Sequence, residues 1–464
     1  MSDGHALTRN QEAQWFLHQL APEATAYHTG VAVRIRSAVD VAALGAAVRA
    51  LGSRHEMLRS VFIERDGRPV RLVRPDSLVE LAHYQVTEAL AVSVRRSLHR
   101  PFDLGRTGAF RIALHSRTPE DAVLLIAGHH IATDAASDAV LLADLLALYG
   151  HEETDAHEAT DSHEEYVLRE RKLLSSPLGA TLETYWADLC RSSGAVTLPS
   201  DRPRPARQSF TGGTCRTVVP AEDSQWLRQT ALDLGVSLFA LLLAVFQGVL
   251  YRYTRQDDFL VGCPVSTRLS SRSRRTVGNY VNTLVFRARF TAATTFREAA
   301  EEAHRQLRQG MAGLRYPFAH LARVLADSRE AGQSAVYQVT FNLLSTAHAP
   351  AELRTILDTT RPDRVTSCSG LSLSAFPLPQ QEGQVDLGVD VLETEDALAV
   401  DIRYDSSLFD QETVEQFAAH FTRAVALAAE RPDGSVARAR IWGQDRRFRP
   451  VTNAERRTPP CPKP

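Results

Sequence analysis

Three prolines within seven residues, Pro199-Ser-Asp-Arg-Pro-Arg-Pro205, interrupt this chain near its middle. A proline lacks a backbone N–H and fixes φ, so the stretch can continue neither a helix nor a central strand. With 464 residues the chain exceeds what one ordinary hydrophobic core supports. The interruption therefore reads as a seam between two lobes, residues 1–195 and 196–445. The Arg- and Pro-rich remainder, 446–464, is expected to be a disordered tail.

Both halves mix helix and strand, which sets the class as α/β. In the first, Asp40 can cap a helix with Leu44, Val48 and Leu51 at helical spacing, and Asp66-Gly67 between Val61–Ile63 and Val70–Val73 signals a hairpin. An apolar run of strand length, Val123–Ala127, precedes a helix expected from Ser137 to Tyr149, and a long helical stretch is expected from Tyr166 to Leu189. In the second half, strands are expected near Cys215–Val219 and Phe259–Pro264, with the helical stretch Val236–Tyr253 between them. A hairpin follows with Leu387, Val389, Val391 and Leu398, Val400, Ile402 alternating, then a last helix capped by Asp410.

Composition excludes several classes. Fifty-three basic against 55 acidic residues give a net charge of −2, which argues against nucleic acid and anionic membrane partners. The most apolar run, Leu238–Phe246, is far shorter than the ~20 residues that span a bilayer. Five scattered cysteines, Cys190, Cys215, Cys263, Cys368 and Cys461, show no zinc or redox spacing. Met1–Asn10 lacks a signal-peptide core, so a reduced, cytoplasmic monomer is expected. The acidic, His-rich stretch from Gly150 to Glu165 offers His151, His157 and His163, but no compact ligand pair, and is read as a solvated loop without metal.

The chemistry is expected after Val123–Ala127, where His129 and His130 enter a loop containing Asp134 and Ser137. A strand end fixes the backbone while the loop exposes an imidazole that titrates near neutrality. The segment Gly128-His-His-Ile-Ala-Thr-Asp-Ala-Ala-Ser137 resembles the H-H-x-x-x-D-G motif of nonribosomal peptide synthetase condensation domains. Further signatures of that family stand in order: Leu7-Thr-x-x-Gln11 with Trp15-Phe16-Leu17, Arg54-His-Glu-Met-Leu-Arg59 with Phe62, and Val277-Gly-Asn-Tyr-Val-Asn-Thr283. Tyr316-Pro-Phe318, Tyr337-Gln-Val-x-Phe-Asn342 and Tyr404-Asp-x-x-Leu-Phe409 complete a resemblance over roughly residues 7–430.

The resemblance implies two chloramphenicol acetyltransferase-like lobes in a V, with a tunnel between them. It implies transfer of an acyl or peptidyl thioester from the phosphopantetheine arm of a separate carrier protein to an amine. The chain itself would bind no cofactor. Carrier proteins would be the partners, with a small-molecule nucleophile as an alternative acceptor. In those terms His130 orients or deprotonates the nucleophile, His129 holds the loop, and Asp134 pairs with an arginine. Arg59 is the first candidate for that arginine and Arg268 the second. Asn342 is assigned a polar role near the tunnel. Ala135 stands where the family has glycine, which implies strain if φ there is positive and a narrower channel otherwise. Ester formation and an inactive carrier-docking module are the rival readings. No G-G-x-S attachment motif or adenylation domain occurs in the sequence, so either a free-standing protein or part of a larger synthetase is expected.

Overall fold

The structure, a computed structural model, describes residues 4–152, 162–325, 336–346, 349 and 351–442. Both the expected tail and His157 lie outside these residues. Two large sheets organise the chain. The first runs, in spatial order, Val365–Cys368, Leu371–Ala375, His28–Ile35, Asp121–His129, Phe110–Thr118 and Leu81–Gln85. The second runs Val281–Arg289, Asp258–Ser266, Val339–Ser345, Leu387–Glu393, Leu398–Asp405 and Gly212–Val219, with Gly194–Ala195 also paired to Asp258–Ser266. A small third sheet joins His5–Ala6, Arg68–Val73 and Ser60–Arg65.

The lobes exchange strands across the boundary expected at 195/196. The hairpin Val365–Ala375 pairs through Leu373 with Ile35 and through Ala375 with Val33, deep in the first half of the sequence. In the other direction, Gly194 and Ala195 pair with Phe259 and Leu260. Sequence order and sheet membership therefore coincide except at these two exchanges. The Pro199–Pro205 stretch runs between Gly194–Ala195 and Gly212–Val219, both in the second sheet, and Arg202 anchors it on Asp410. Asp410 thereby pairs with an arginine and makes no side-chain cap, although the helix Gln411–Glu430 begins directly after it.

Most elements form where the patterns place them. Asp66 and Gly67 take the left-handed conformation that a tight hairpin needs (φ 50° and 71°). Asp40 caps Val41–Arg54 through Ala42 and Ala43 N–H. The expected helix 166–189 is two helices, His163–Leu174 and Pro177–Arg191, because Ser176 caps a new start and Pro177 occupies its first position. His163, expected in solvent, is buried, with its ring edge-on to Tyr280. Among the described residues no cluster of His, Cys, Asp or Glu is arranged to hold a metal. No single described helix is long and apolar enough to cross a membrane.

The seam beside the chemistry is closed by side chains. Asp134 Oδ2 accepts from Arg268 Nη1 (2.6 Å) and from Tyr280 N (3.0 Å), while Oδ1 accepts from Ser137 N (2.8 Å). Arg268 Nη2 donates to Ser137 Oγ (2.7 Å) and to the Thr276 carbonyl (2.8 Å). Ser137 Oγ donates to the Gly278 carbonyl (2.8 Å) and accepts from Gly278 N (3.0 Å). The guanidinium lies 4.3 Å over the Tyr280 ring. The partner of Asp134 is thus Arg268. Arg59 donates instead to the Arg74 carbonyl (2.8 Å), because its motif belongs to a support beneath the first sheet: His55 on Asp144 (2.8 Å), Glu56 on Arg71 (2.5 Å), Met57 and Leu58 in the core.

Asp134 and Arg268 side chains are 3% and 4% exposed, so losing either leaves a buried charge unpaired. Arg268→Ala should lower unfolding stability by about 3–5 kcal/mol. In urea titrations, Arg268→Ala and Asp134→Asn should be strongly non-additive, whereas Arg59→Ala and Asp134→Asn should add. Additivity of the first pair would remove the latch.

Candidate active site

His130 sits at the turn that ends the central strand Asp121–His129. Residues 122–129 are all buried, so both faces of that strand are covered and its end is fixed. Backbone bonds hold the turn on both sides: His129 N donates to the Ala109 carbonyl (2.8 Å) and His130 N to the Tyr27 carbonyl (2.8 Å). From the second lobe, Asn279 Nδ2 donates to the His130 carbonyl (2.7 Å). The opening helix Arg9–Leu20 adds a further tie. Thr8 and Gln11 form its capping box, and Gln11 Nε2 reaches the Ile131 carbonyl (2.9 Å).

The two imidazoles are prepared differently. His130 Nδ1 lies 2.6 Å from the Thr133 carbonyl. A carbonyl can only accept, so Nδ1 carries the proton and Nε2 presents a lone pair. Burial lowers the His130 pKa, against the opposing pull of the Thr133 carbonyl, so the ring is neutral at pH 7. His129 is buried, and its Nδ1 accepts from Ile131 N (3.1 Å). Its ring lies among those of His18, Tyr27, His28 and Phe102. Burial and these neighbouring imidazoles hold its pKa well below the usual range. His129 packs and pins the turn, and His130 is the histidine with a free face.

Ala135 is the first residue of the helix Ala135–Tyr149, with Asp134 as its N-cap. It is not among the positive-φ residues, and its side chain is exposed. The positive-φ strain is therefore removed, because this backbone is ordinary helix and starts two residues earlier than periodicity places it. Ser137 is fully buried in the latch. Asn342 lies on the second sheet, half-buried, in register with Asp390 of the neighbouring strand.

Asp138 escaped the motif. Its carboxylate accepts from Thr133 Oγ1 (2.7 Å) and Thr29 Oγ1 (3.2 Å), directly behind the carbonyl that orients His130. Burial, the largest influence, pushes its pKa to about 7. The signal was present: Asp138 shares a helix face with Leu141, Leu142 and Leu145, all buried, and a carboxylate on an apolar face calls for an explanation. A carboxyl whose folded pKa lies above its unfolded value stabilises fully below the unfolded pKa, and that contribution is lost as pH rises through about 7. Asp138→Asn should therefore remove a decline in melting temperature between pH 4 and pH 7. Identical pH–stability curves for native protein and variant would show that Asp138 ionises normally.

A model of the Condensation domain family matches residues 1–447. Among curated proteins, the chain is 27% identical over 432 residues to tyrocidine synthase 3 of Brevibacillus parabrevis. That match covers 93% of this chain and 6% of that protein. It is 26% identical over 432 residues to surfactin synthase subunit 1 of Bacillus subtilis (strain 168), covering 93% and 12%. The chain thus spans a small fraction of the length of these relatives. Among solved structures, a four-domain nonribosomal peptide synthetase bound to AMP and glycine superposes with a TM-score of 0.86 at 23% identity, covering 96% of this chain and 34% of that one. The X-domain of teicoplanin biosynthesis in complex with OxyB gives 0.81 at 23% identity, covering 96% and 97%. These likenesses carry the fold, two chloramphenicol acetyltransferase-like lobes, and the family match spans the latch and both histidines. This chain belongs to the condensation domain family of nonribosomal peptide synthetases.

Proposed function

We propose that this domain transfers an acyl or peptidyl group from a carrier-protein thioester to an amine, forming an amide. The observation that carries it is the fixed tautomer of His130: Nδ1–H is committed to the Thr133 carbonyl, leaving the Nε2 lone pair for the acceptor. The amine nitrogen attacks the thioester carbonyl, the C–N bond forms, and the C–S bond breaks. The proton lost by the amine passes by way of Nε2 to the departing thiolate. A thioester is already activated, so holding two reactants beside one acceptor supplies much of the rate. The neutrality of His130 at pH 7 suits this role, since an imidazolium has no lone pair to offer.

Asp134 and Arg268 act as positioning residues in this scheme, because both are consumed by the latch. The phosphopantetheine arm belongs to separate carrier proteins. An inactive docking module would draw its support from strain at Ala135, and the helical backbone there removes that support.

His130→Ala should reduce product formation roughly 10²–10⁴-fold with an unchanged circular dichroism spectrum. An unchanged rate would take His130 out of the mechanism. Ala135→Gly should change turnover by less than about tenfold. Carrier-bound donors should react far faster than the matching coenzyme A thioesters, because docking raises effective concentration. Intact-protein mass spectrometry of donor, acceptor and enzyme reads each outcome, and a preference for alcohol acceptors would make the product an ester.

A further inference from the structure

Over residues 339–342, 388–391 and 400–403 the second sheet has one apolar face and one polar face. Val339, Phe341, Val389, Val391, Val400 and Ile402 point into the core. Alternation turns Thr340, Asn342, Gly388, Asp390 and Arg403 the other way. Gly262, Thr340, Gly388 and Arg403 form one cross-strand row. Its two glycines make room for large neighbours. A Cβ on Gly262 would meet the Tyr337 ring at 2.6 Å, and one on Gly388 would lie 2.7 Å from Thr340 Oγ1 and 3.2 Å from Arg403 Nη2. Tyr337 and Arg403 therefore flank Thr340 on this wall.

The wall is polar and only partly satisfied. Arg403 pairs with Asp390 (Nε to Oδ2 2.5 Å, Nη2 to Oδ1 3.2 Å), and Nη1 donates to Gln381 Oε1 (3.0 Å). The Nε approach is close but poorly aligned as a hydrogen bond. Thr340 is 6% exposed, and its Oγ1 has no partner among the described residues. A buried hydroxyl without a partner costs stability unless something else bonds to it. The wall also borders the histidine. Gln381, which holds Arg403 Nη1, follows Gln380, whose Nε2 donates to the Gly30 carbonyl (2.8 Å) on the strand paired with the one that ends at His129.

We propose that Tyr337, Thr340, Asn342, Asp390 and Arg403 form a substrate subsite beside His130. It takes a chain bearing a hydroxyl or carboxamide in preference to a hydrocarbon chain of the same size. The proposal rests on the acyl-transfer reading and specifies its substrate class. Thr340 Oγ1 and the Asn342 amide meet such a group, and an apolar isostere leaves them unpaired. The Arg403–Asp390 pair, with both signs present, binds dipolar groups without selecting net charge.

The test is a competition assay with two arms. In one, threonyl and valyl carrier donors compete for a common acceptor. In the other, threonine amide competes with valine amide, and asparagine amide with leucine amide, for a common donor. Thr340→Val preserves shape, Asn342→Leu leaves the ion pair intact, and Arg403→Met with Asp390→Leu removes both charges together. Each should reduce the polar-to-apolar ratio of kcat/KM by roughly tenfold or more in one arm, and that arm identifies which substrate the wall reads. Ratios unchanged in both arms for the folded Thr340→Val and Asn342→Leu proteins would overturn the subsite while leaving acyl transfer standing. No product from the native protein with any pair would overturn the acyl-transfer reading and the subsite with it.

Discussion

The Asp134 carboxylate is buried, and it is stable there because three donors from both lobes converge on it: Ser137 N, Tyr280 N and Arg268 Nη1. A carboxylate out of water requires such partners. Their geometry fixes much else. Ser137 must be small and hydroxylated to lie between Arg268 and the Gly278 backbone. Gly278 leaves room for the Tyr280 and His163 rings, which an added Cβ would meet at 2.8 and 3.0 Å. Tyr280 then offers its ring to the guanidinium. One residue before Tyr280, Asn279 ties its amide to the His130 carbonyl. The latch and the presentation of the histidine are one construction.

That construction explains how adjacent histidines acquire different properties. Successive residues at a strand end point to opposite sides. His129 points inward, where aromatic and imidazole rings surround it and protonation is strongly disfavoured. His130 enters the turn, where the Thr133 carbonyl selects its tautomer. Thr133 is itself held by Asp138, so the path from the helix face to Nε2 contains no freely rotating group. A neutral acceptor with a fixed lone pair needs less reorganisation than a mobile one.

How much of this could be read from sequence depended on whether the signal was local. The Asp40 cap, the Asp66-Gly67 hairpin and the alternating strands Leu387–Glu393 and Leu398–Asp405 follow from residues adjacent in the chain. His130 and Asp134 were legible through motif order. The arginine was not: the motif puts Arg59 ahead of Arg268, and tertiary distance reverses that order. Ala135 misled because the motif suggests a loop, whereas the Asp134 cap starts the helix there. His163 looked solvated because its neighbours are acidic, yet its ring packs on Tyr280, more than a hundred residues away. Strand exchange by Val365–Ala375 leaves no periodic trace, since a strand reads the same whichever sheet receives it.

Strand exchange also restricts how the seam can move. At one end the lobes share a backbone ladder, with Leu373, Ser374 and Ala375 paired to Ile35, Arg34 and Val33. Beside the histidines they are joined by side chains around Asp134. The segment between the exchanged hairpin and the second sheet bonds to both: Gln380 Nε2 to the Gly30 carbonyl (2.8 Å), Glu382 to Arg95 (3.0 Å) and to Thr214 Oγ1 (2.8 Å). Separating the lobes would break ladder bonds and leave buried charges unpaired together, each costly alone. Bending about the shared strands would spare the ladder but pull on the Asp134 cluster. The ladder at one end and the Asp134 cluster at the other therefore restrain separation and bending together, and hold His130 and the polar wall of the second sheet in constant register.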